Sequence, residues 1–143
     1  MNKEIAKRNK ENVMAFFKAL EKKDAQSVVN LFAEDGVQSN PYASGIFPQG
    51  AKGYEEILAY WKAPFHNFGD MEFLIDEIYA MEDPNIVFVK YTGNIMYKDG
   101  SGKYANQYYS TFKFAENGKI KEYVEIFNPI VAAKAFGLID MIK

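Results

Sequence analysis

The chain has 143 residues, 25% of them charged, with a formal charge of −2 and no cysteine. A single domain of that length buries about 70% of the surface its unfolded chain exposes. The missing thiols exclude disulfides, thiolate nucleophiles and cysteine-based zinc sites, and lysines and arginines scattered without a basic stripe argue against a nucleic-acid partner.

Val13, Phe16, Phe17 and Leu20 recur at three- and four-residue steps, which predicts an amphipathic helix ending near Glu21. Asp24 is placed to cap a second, shorter helix whose apolar side is Val28, Val29, Leu31 and Phe32. Glu34-Asp35-Gly36 reads as a turn into a short strand over 37–40, followed by a Pro- and Gly-rich loop over 41–53. A third helix is expected over 54–61, with Ile57, Leu58 and Trp61 on one face and Pro64 as its stop.

From Met71 onward the period changes. Residues 71–81, 86–97, 104–115 and 119–127 are β-branched and aromatic runs, separated by Asp83-Pro84-Asn85, Asp99-Gly100-Ser101-Gly102 and Asn117-Gly118. Asn128-Pro129 suits the cap and first position of a last helix, and Gly137 its end. No run approaches the roughly 20 apolar residues of a membrane span. Met1-Asn2-Lys3-Glu4-Ile5 has no apolar segment behind its charges, so cytoplasmic placement is expected and no membrane partner. The layout is α+β: helices first, then a curved, mainly antiparallel sheet wrapped around them as a cone, in one domain over 1–143.

Read as a two-residue hairpin loop, Asn117-Gly118 pairs Glu116 with Lys119, then Phe112 with Tyr123, Ser110 with Glu125 and Tyr108 with Phe127. Those residues share one face, and Ile120, Val124, Ile126, Tyr109 and Thr111 the other. Toward the end of this hairpin neither face is polar, whereas a small antiparallel sheet ordinarily leaves one to water. The helices can cover only one, so the second predicts a homodimer through the sheet. With 10 Tyr and 12 Phe the chain is rich in aromatics, which suits a pocket or an interface and equally an aromatic core.

Two stretches carry a resemblance. Val37-Gln38-Ser39-Asn40-Pro41-Tyr42-Ala43-Ser44-Gly45 with Gly53-Tyr54-Glu55-Glu56-Ile57 resembles the strand, proline loop and glycine-initiated helix of ketosteroid-isomerase-like (nuclear transport factor two-like) proteins. Asn117-Gly118-Lys119-Ile120-Lys121, running to Glu125-Ile126-Phe127-Asn128-Pro129, is similar to the closing hairpin of SnoaL-like polyketide cyclases and more closely of the PhzA/PhzB phenazine-biosynthesis proteins. The resemblance implies a cone around one apolar cavity for a small apolar or aromatic molecule. Asn40 stands where the isomerases and cyclases place an aspartate base, and an amide cannot accept a proton at neutral pH. Phe16 and Phe17 occupy the first helix, where the isomerases use a tyrosine as oxyanion donor, so the usual steroid-isomerase route is not expected. Glu125 falls where the PhzA/PhzB proteins keep an acid/base glutamate, and His66 lies in the region of their pocket histidine.

Glu125 on the face of Tyr108, Phe112, Tyr123 and Phe127 would sit among rings, where burial disfavours the anion and makes a general acid available near pH 7. On the opposite face it would meet a dimer contact or a lysine instead. His66 is the one histidine: a proton relay in a pocket, or a surface residue. One histidine without cysteine gives no metal-ligand set, and no glycine-rich phosphate loop offers a nucleotide a seat, so neither metal nor cofactor is expected. Asn40, Tyr42, Trp61, Tyr108, Ser110, Phe112, Tyr123 and Phe127 are candidate ligand contacts; at helical spacing with Ile57, Trp61 is equally a core residue. Three readings follow: a cofactor-independent acid/base enzyme acting on a cyclic or aromatic carbonyl compound, a carrier or sensor using the same cavity, or an interaction module.

Overall fold

The computed structural model describes residues 2–142. Helix α1 (Asn2–Glu21) buries Val13, Phe16, Phe17 and Leu20 as its period requires. Asp24 caps α2 (Ala25–Asn30), its carboxylate accepting from Ser27 N at 3.1 Å. The sheet has six strands: β1 (Phe32–Ser39), β2 (Gly50–Lys52), β3 (Phe68–Ala80), β4 (Ile86–Tyr97), β5 (Lys103–Phe114) and β6 (Ile120–Phe127). Their spatial order is β2-β1-β6-β5-β4-β3; every pair is antiparallel except β1 with β6. Helix α3 (Gly53–Asn67) follows β2, and α4 (Pro129–Ala135) with a short 3₁₀ turn, Ile139–Met141, closes the chain.

Four local readings are corrected by the packing. Glu34-Asp35-Gly36 is not a turn but part of β1, which starts at Phe32, where that fully buried ring pairs with Ile120. The register slips between Phe32 and Val37, and a Cβ on Gly36 would lie 3.0 Å from Ile120 O, so the glycine marks a bulge pressed against β6. Leu31 and Phe32 therefore lie beyond α2. Pro64 does not stop α3: it lies inside the helix, which runs on to Asn67. Phe65 is buried with its ring tilted against that of Trp61 at 5.7 Å, an i,i+4 aromatic pair that adds to the last turn. Within the stretch read as loop, Gly50–Lys52 forms edge strand β2.

The hairpin turn shows how a wrong local geometry gave the right register. Gly118 N donates to Ala115 O and Ala115 N to Lys119 O, both at 2.9 Å, with Gly118 at φ +85°. This is a three-residue loop, a turn followed by a left-handed glycine, so Glu116 does not face Lys119. The extra residue is absorbed by an irregularity between Lys113 and Phe114, after which Phe112–Tyr123, Ser110–Glu125 and Tyr108–Phe127 pair as expected. The slip also moves Ile120 to the inner face: it pairs with Phe114 and is fully buried, where alternation from Val124 would have put it outside.

The inner face packs on α1. Phe16 meets Phe112 and Tyr123 edge-on at 5.2 and 4.9 Å, and Phe17 lies 4.5 Å from Tyr91, so both first-helix phenylalanines are core. The outer face carries Tyr79, Phe88 and Tyr109 as a row of neighbouring rings. Among the described residues no helix is long and apolar enough to cross a membrane.

Candidate functional site

Beyond the packed end of α1 the sheet and helices diverge around a cavity of about 390 Å³. Strand β6 supplies Tyr123, Glu125 and Phe127 to it, β4 and β5 supply Tyr91, Tyr104 and Tyr108, and α3 supplies Tyr60 and Trp61. Ala132, Phe136 and Leu138 close it from the C-terminal side. That segment is aimed by local chemistry. Asn128 accepts from Ile130 N and Val131 N at 3.0 and 3.3 Å, Pro129 fills the first helical turn, and Leu138 N returns to Ala133 O at 2.8 Å past left-handed Gly137.

Glu125 is the ionisable carboxyl group on this lining. It is half-buried, with its exposed part turned to the cavity. Burial pushes its pKa up from 4.5 to about 7, against the opposing pull of the Tyr123 hydroxyl, which donates to Oε2 at 3.0 Å. Behind Tyr123 the hydrogen bonding continues: its hydroxyl lies 2.5 Å from that of Tyr91, and Tyr91 lies 3.1 Å from Ser110 Oγ. With Glu125 ionised, the chain runs in one sense, Ser110 donating to Tyr91, Tyr91 to Tyr123 and Tyr123 to Glu125. Because Ser110 and the phenols of Tyr91 and Tyr123 are buried to 1% exposure or less, this chain holds one carboxylate oxygen still and leaves the other to the cavity.

The phenols stay protonated. Burial first, and then the charge of Glu125, pushes Tyr60, Tyr91, Tyr108 and Tyr123 above the ordinary phenol range. Each is a donor at neutral pH. Tyr108 stacks flat on Tyr91, 4.8 Å apart and 1° from parallel, so one wall is a planar aromatic surface.

Asn40 also lines the cavity, at 4% exposure. The pairs Gln38–Tyr123 and Ser39–Val124 carry it alongside Glu125 on the same side of the sheet. Its Nδ2 donates to Pro48 O at 2.9 Å and to the Tyr60 hydroxyl at 2.6 Å, while Oδ1 is buried without a partner. Trp61 donates from Nε1 to Gln38 Oε1 at 2.8 Å while its ring lines the cavity, so it is core and wall at once.

Of the residues singled out from sequence, Glu125, Asn40, Trp61, Tyr108, Tyr123 and Phe127 meet at the cavity. Ser110 stands one layer behind, bonded to Tyr91, and Phe112 packs fully buried against Phe16. Two stand elsewhere. His66, on α3 and not in a loop, is exposed in a shallow depression beside Lys23 and Lys62, and Tyr42 is 53% exposed over the outer groove with Tyr109 and Val131.

Tyr60 and Tyr91 were missed. Tyr60 follows Ile57 by three residues, on the stripe of α3 that faces the sheet. Tyr91 pairs with Tyr108, a register that the turn with Tyr97 N on Gly102 O fixes six residues away on either strand.

A curved, mainly antiparallel sheet around N-terminal helices defines the class, and comparison places the chain within it. It belongs to the SnoaL-like domain family, whose pattern it matches over residues 13–123. It is 31% identical over 144 residues to the phenazine biosynthesis protein PhzA2 of Pseudomonas aeruginosa, covering 96% of this chain and 85% of that one. Among solved structures it is similar to a protein from Bacillus subtilis with a provisional isomerase designation (TM-score 0.82, 25% identity, 92% of this chain and 94% of that one). It is also similar to a phenazine biosynthesis-related protein of Pseudomonas aeruginosa (TM-score 0.79, 24% identity, 94% and 84%).

Proposed function

We propose that this protein is a cofactor-independent acid/base enzyme that acts on an apolar cyclic or aromatic carbonyl compound, with Glu125 moving the proton. The observation that carries the reading is a carboxyl group set in a cavity walled by rings and phenols, where burial pushes its pKa up to about 7. A general acid or base works best when its pKa lies near the working pH. As carboxylate, Glu125 removes a proton from the carbon next to the carbonyl; the electron pair of that C–H bond moves into an enolate, whose oxygen takes hydrogen bonds from phenols outside the Glu125 chain, those of Tyr60 and Tyr108. As carboxylic acid, it returns the proton to another carbon or to a departing oxygen. Isomerisation, cyclisation, dehydration and condensation all use that half-reaction.

Glu125→Gln keeps the shape of the site and removes the titrating group. The reading requires at least a hundredfold fall in turnover with ligand binding retained; full activity in that variant contradicts it.

A carrier or sensor is the second reading, favoured by one observation: Asn40, bonded through Nδ2 to Pro48 and Tyr60, provides no second base beside Glu125. Recovery of the ligand unchanged after prolonged incubation would decide for it. The row of Tyr79, Phe88 and Tyr109 supports a homodimer through the outer face of the sheet as part of the same proposal.

A further inference from the structure

The charges around the cavity are one-sided. Its ionisable groups are Glu125 and the phenols of Tyr60, Tyr91, Tyr104, Tyr108 and Tyr123, and among the described residues no lysine, arginine or histidine lines it. The other side-chain amides are Asn40 and Asn67. The two lysines that reach the ends of α3 and β3 are held at backbone carbonyls, Lys23 on Phe68 O at 2.7 Å and Lys98 on His66 O at 2.8 Å. No positive charge contributes to the proton affinity of Glu125, which burial and the Tyr123 hydroxyl set between them.

An anion entering this space would give up its hydration, find no cation and lie near a carboxyl group that it would force to stay protonated. A neutral carbonyl instead meets the phenols of Tyr60 and Tyr108, which the Glu125 chain does not use, and the flat Tyr91–Tyr108 wall. A cation would pair with ionised Glu125 and withdraw it from proton exchange.

Resting on the acid/base reading of Glu125, we infer that the cavity selects its ligand by charge: it takes an uncharged ring compound bearing a carbonyl acceptor and rejects the same ring carrying a carboxylate or phosphate. The selection comes from what the wall lacks as much as from what it holds, and it narrows the substrate class to neutral ketones, aldehydes, esters or lactones.

Binding of acetophenone, benzoate and benzylamine to the intact protein at pH 6 and pH 8, read by NMR line shifts or calorimetry, tests this. Acetophenone is expected to bind at both pH values and benzoate at least about tenfold more weakly, with the gap widest at pH 8, where Glu125 is ionised. Glu125→Gln narrows that gap at pH 8, since the repulsive charge is gone. Benzoate binding as tightly as acetophenone overturns the inference, as does no binding of acetophenone up to its solubility limit or benzylamine binding no more tightly at pH 8 than at pH 6, since a cation pairs with ionised Glu125. The titration of Glu125 without ligand keeps the two claims apart. A pKa near 7 with benzoate bound defeats charge selection alone, whereas an ordinary pKa with benzoate excluded defeats the acid/base reading alone.

Discussion

Tyr123 donates to Glu125 Oε2 at 3.0 Å from two positions earlier on the same strand, so alternation along β6 delivers the acid and the group that restrains it to one face. The hydroxyl works against burial, favouring the carboxylate that the rings disfavour. Removing it in Tyr123→Phe raises the pKa of Glu125 further. The pH profile of turnover moves toward higher pH, and the Glu125 side-chain resonance titrates later. A variant whose profile does not move would show that the bond does not tune the acid.

Stability should depend on pH through the same residue. Glu125 has a folded pKa of about 7 against 4.5 for the ordinary group, so between those values the folded state holds the proton more tightly than the unfolded state. The protonated form contributes its full stabilisation below about pH 4.5, and the contribution is lost as pH rises through 7. Some 2.5 pH units amount to an upper limit on the order of 3 kcal/mol. Denaturant melts of the wild-type protein should weaken from pH 5 to pH 8, and Glu125→Gln should flatten that slope. An equal slope in both proteins contradicts the assignment.

Restoring an acid at Asn40 is not expected to restore a simple base. Asn40→Asp loses both amide donations, to Pro48 O and to Tyr60, and aims an oxygen at a carbonyl oxygen. The cost is roughly 1–3 kcal/mol in thermal or denaturant unfolding. The new carboxyl also stands beside Glu125, and the pair resists double ionisation, pushing one of them higher still. A variant as stable as wild type with an unchanged Glu125 titration would show that Asn40 and Glu125 do not communicate.

The proposed dimer makes its own prediction. Tyr109 is 44% exposed in the outer aromatic row. Sedimentation at micromolar concentration should give twice the chain mass, and Tyr109→Glu should give the single chain with an unchanged circular dichroism spectrum. A wild-type monomer contradicts the dimer.

Much of this was legible in the sequence because its strongest signals are periodic. The α1 stripe and the β4 run were read to their observed ends, and Asp24 and Asn128 cap the helices they announce. What failed was local grammar overridden by long-range contact. Gly36 looks like a turn until Phe32 is paired with Ile120, and Pro64 looks like a stop until Phe65 packs on Trp61. Glu125 could be placed because the closing hairpin fixes its register. Tyr60 and Tyr91 reach the cavity from elements far apart in the chain, and only the folded sheet brings them to it. His66 rests on the resemblance and on a stretch that Pro64 makes look like loop, and Tyr42 on chemical type within a loop; the fold puts His66 on the exposed side of α3 and turns both away from the cavity.

The measurement closest to the central claim is the pKa of Glu125 itself, from carbon-detected NMR titration of protein labelled at glutamate and assigned with Glu125→Gln. The account predicts a value of about 7, well above the ordinary 4.5. A value near 4.5 would mean a solvated or ion-paired carboxylate, and would contradict Glu125 as the acid of this site.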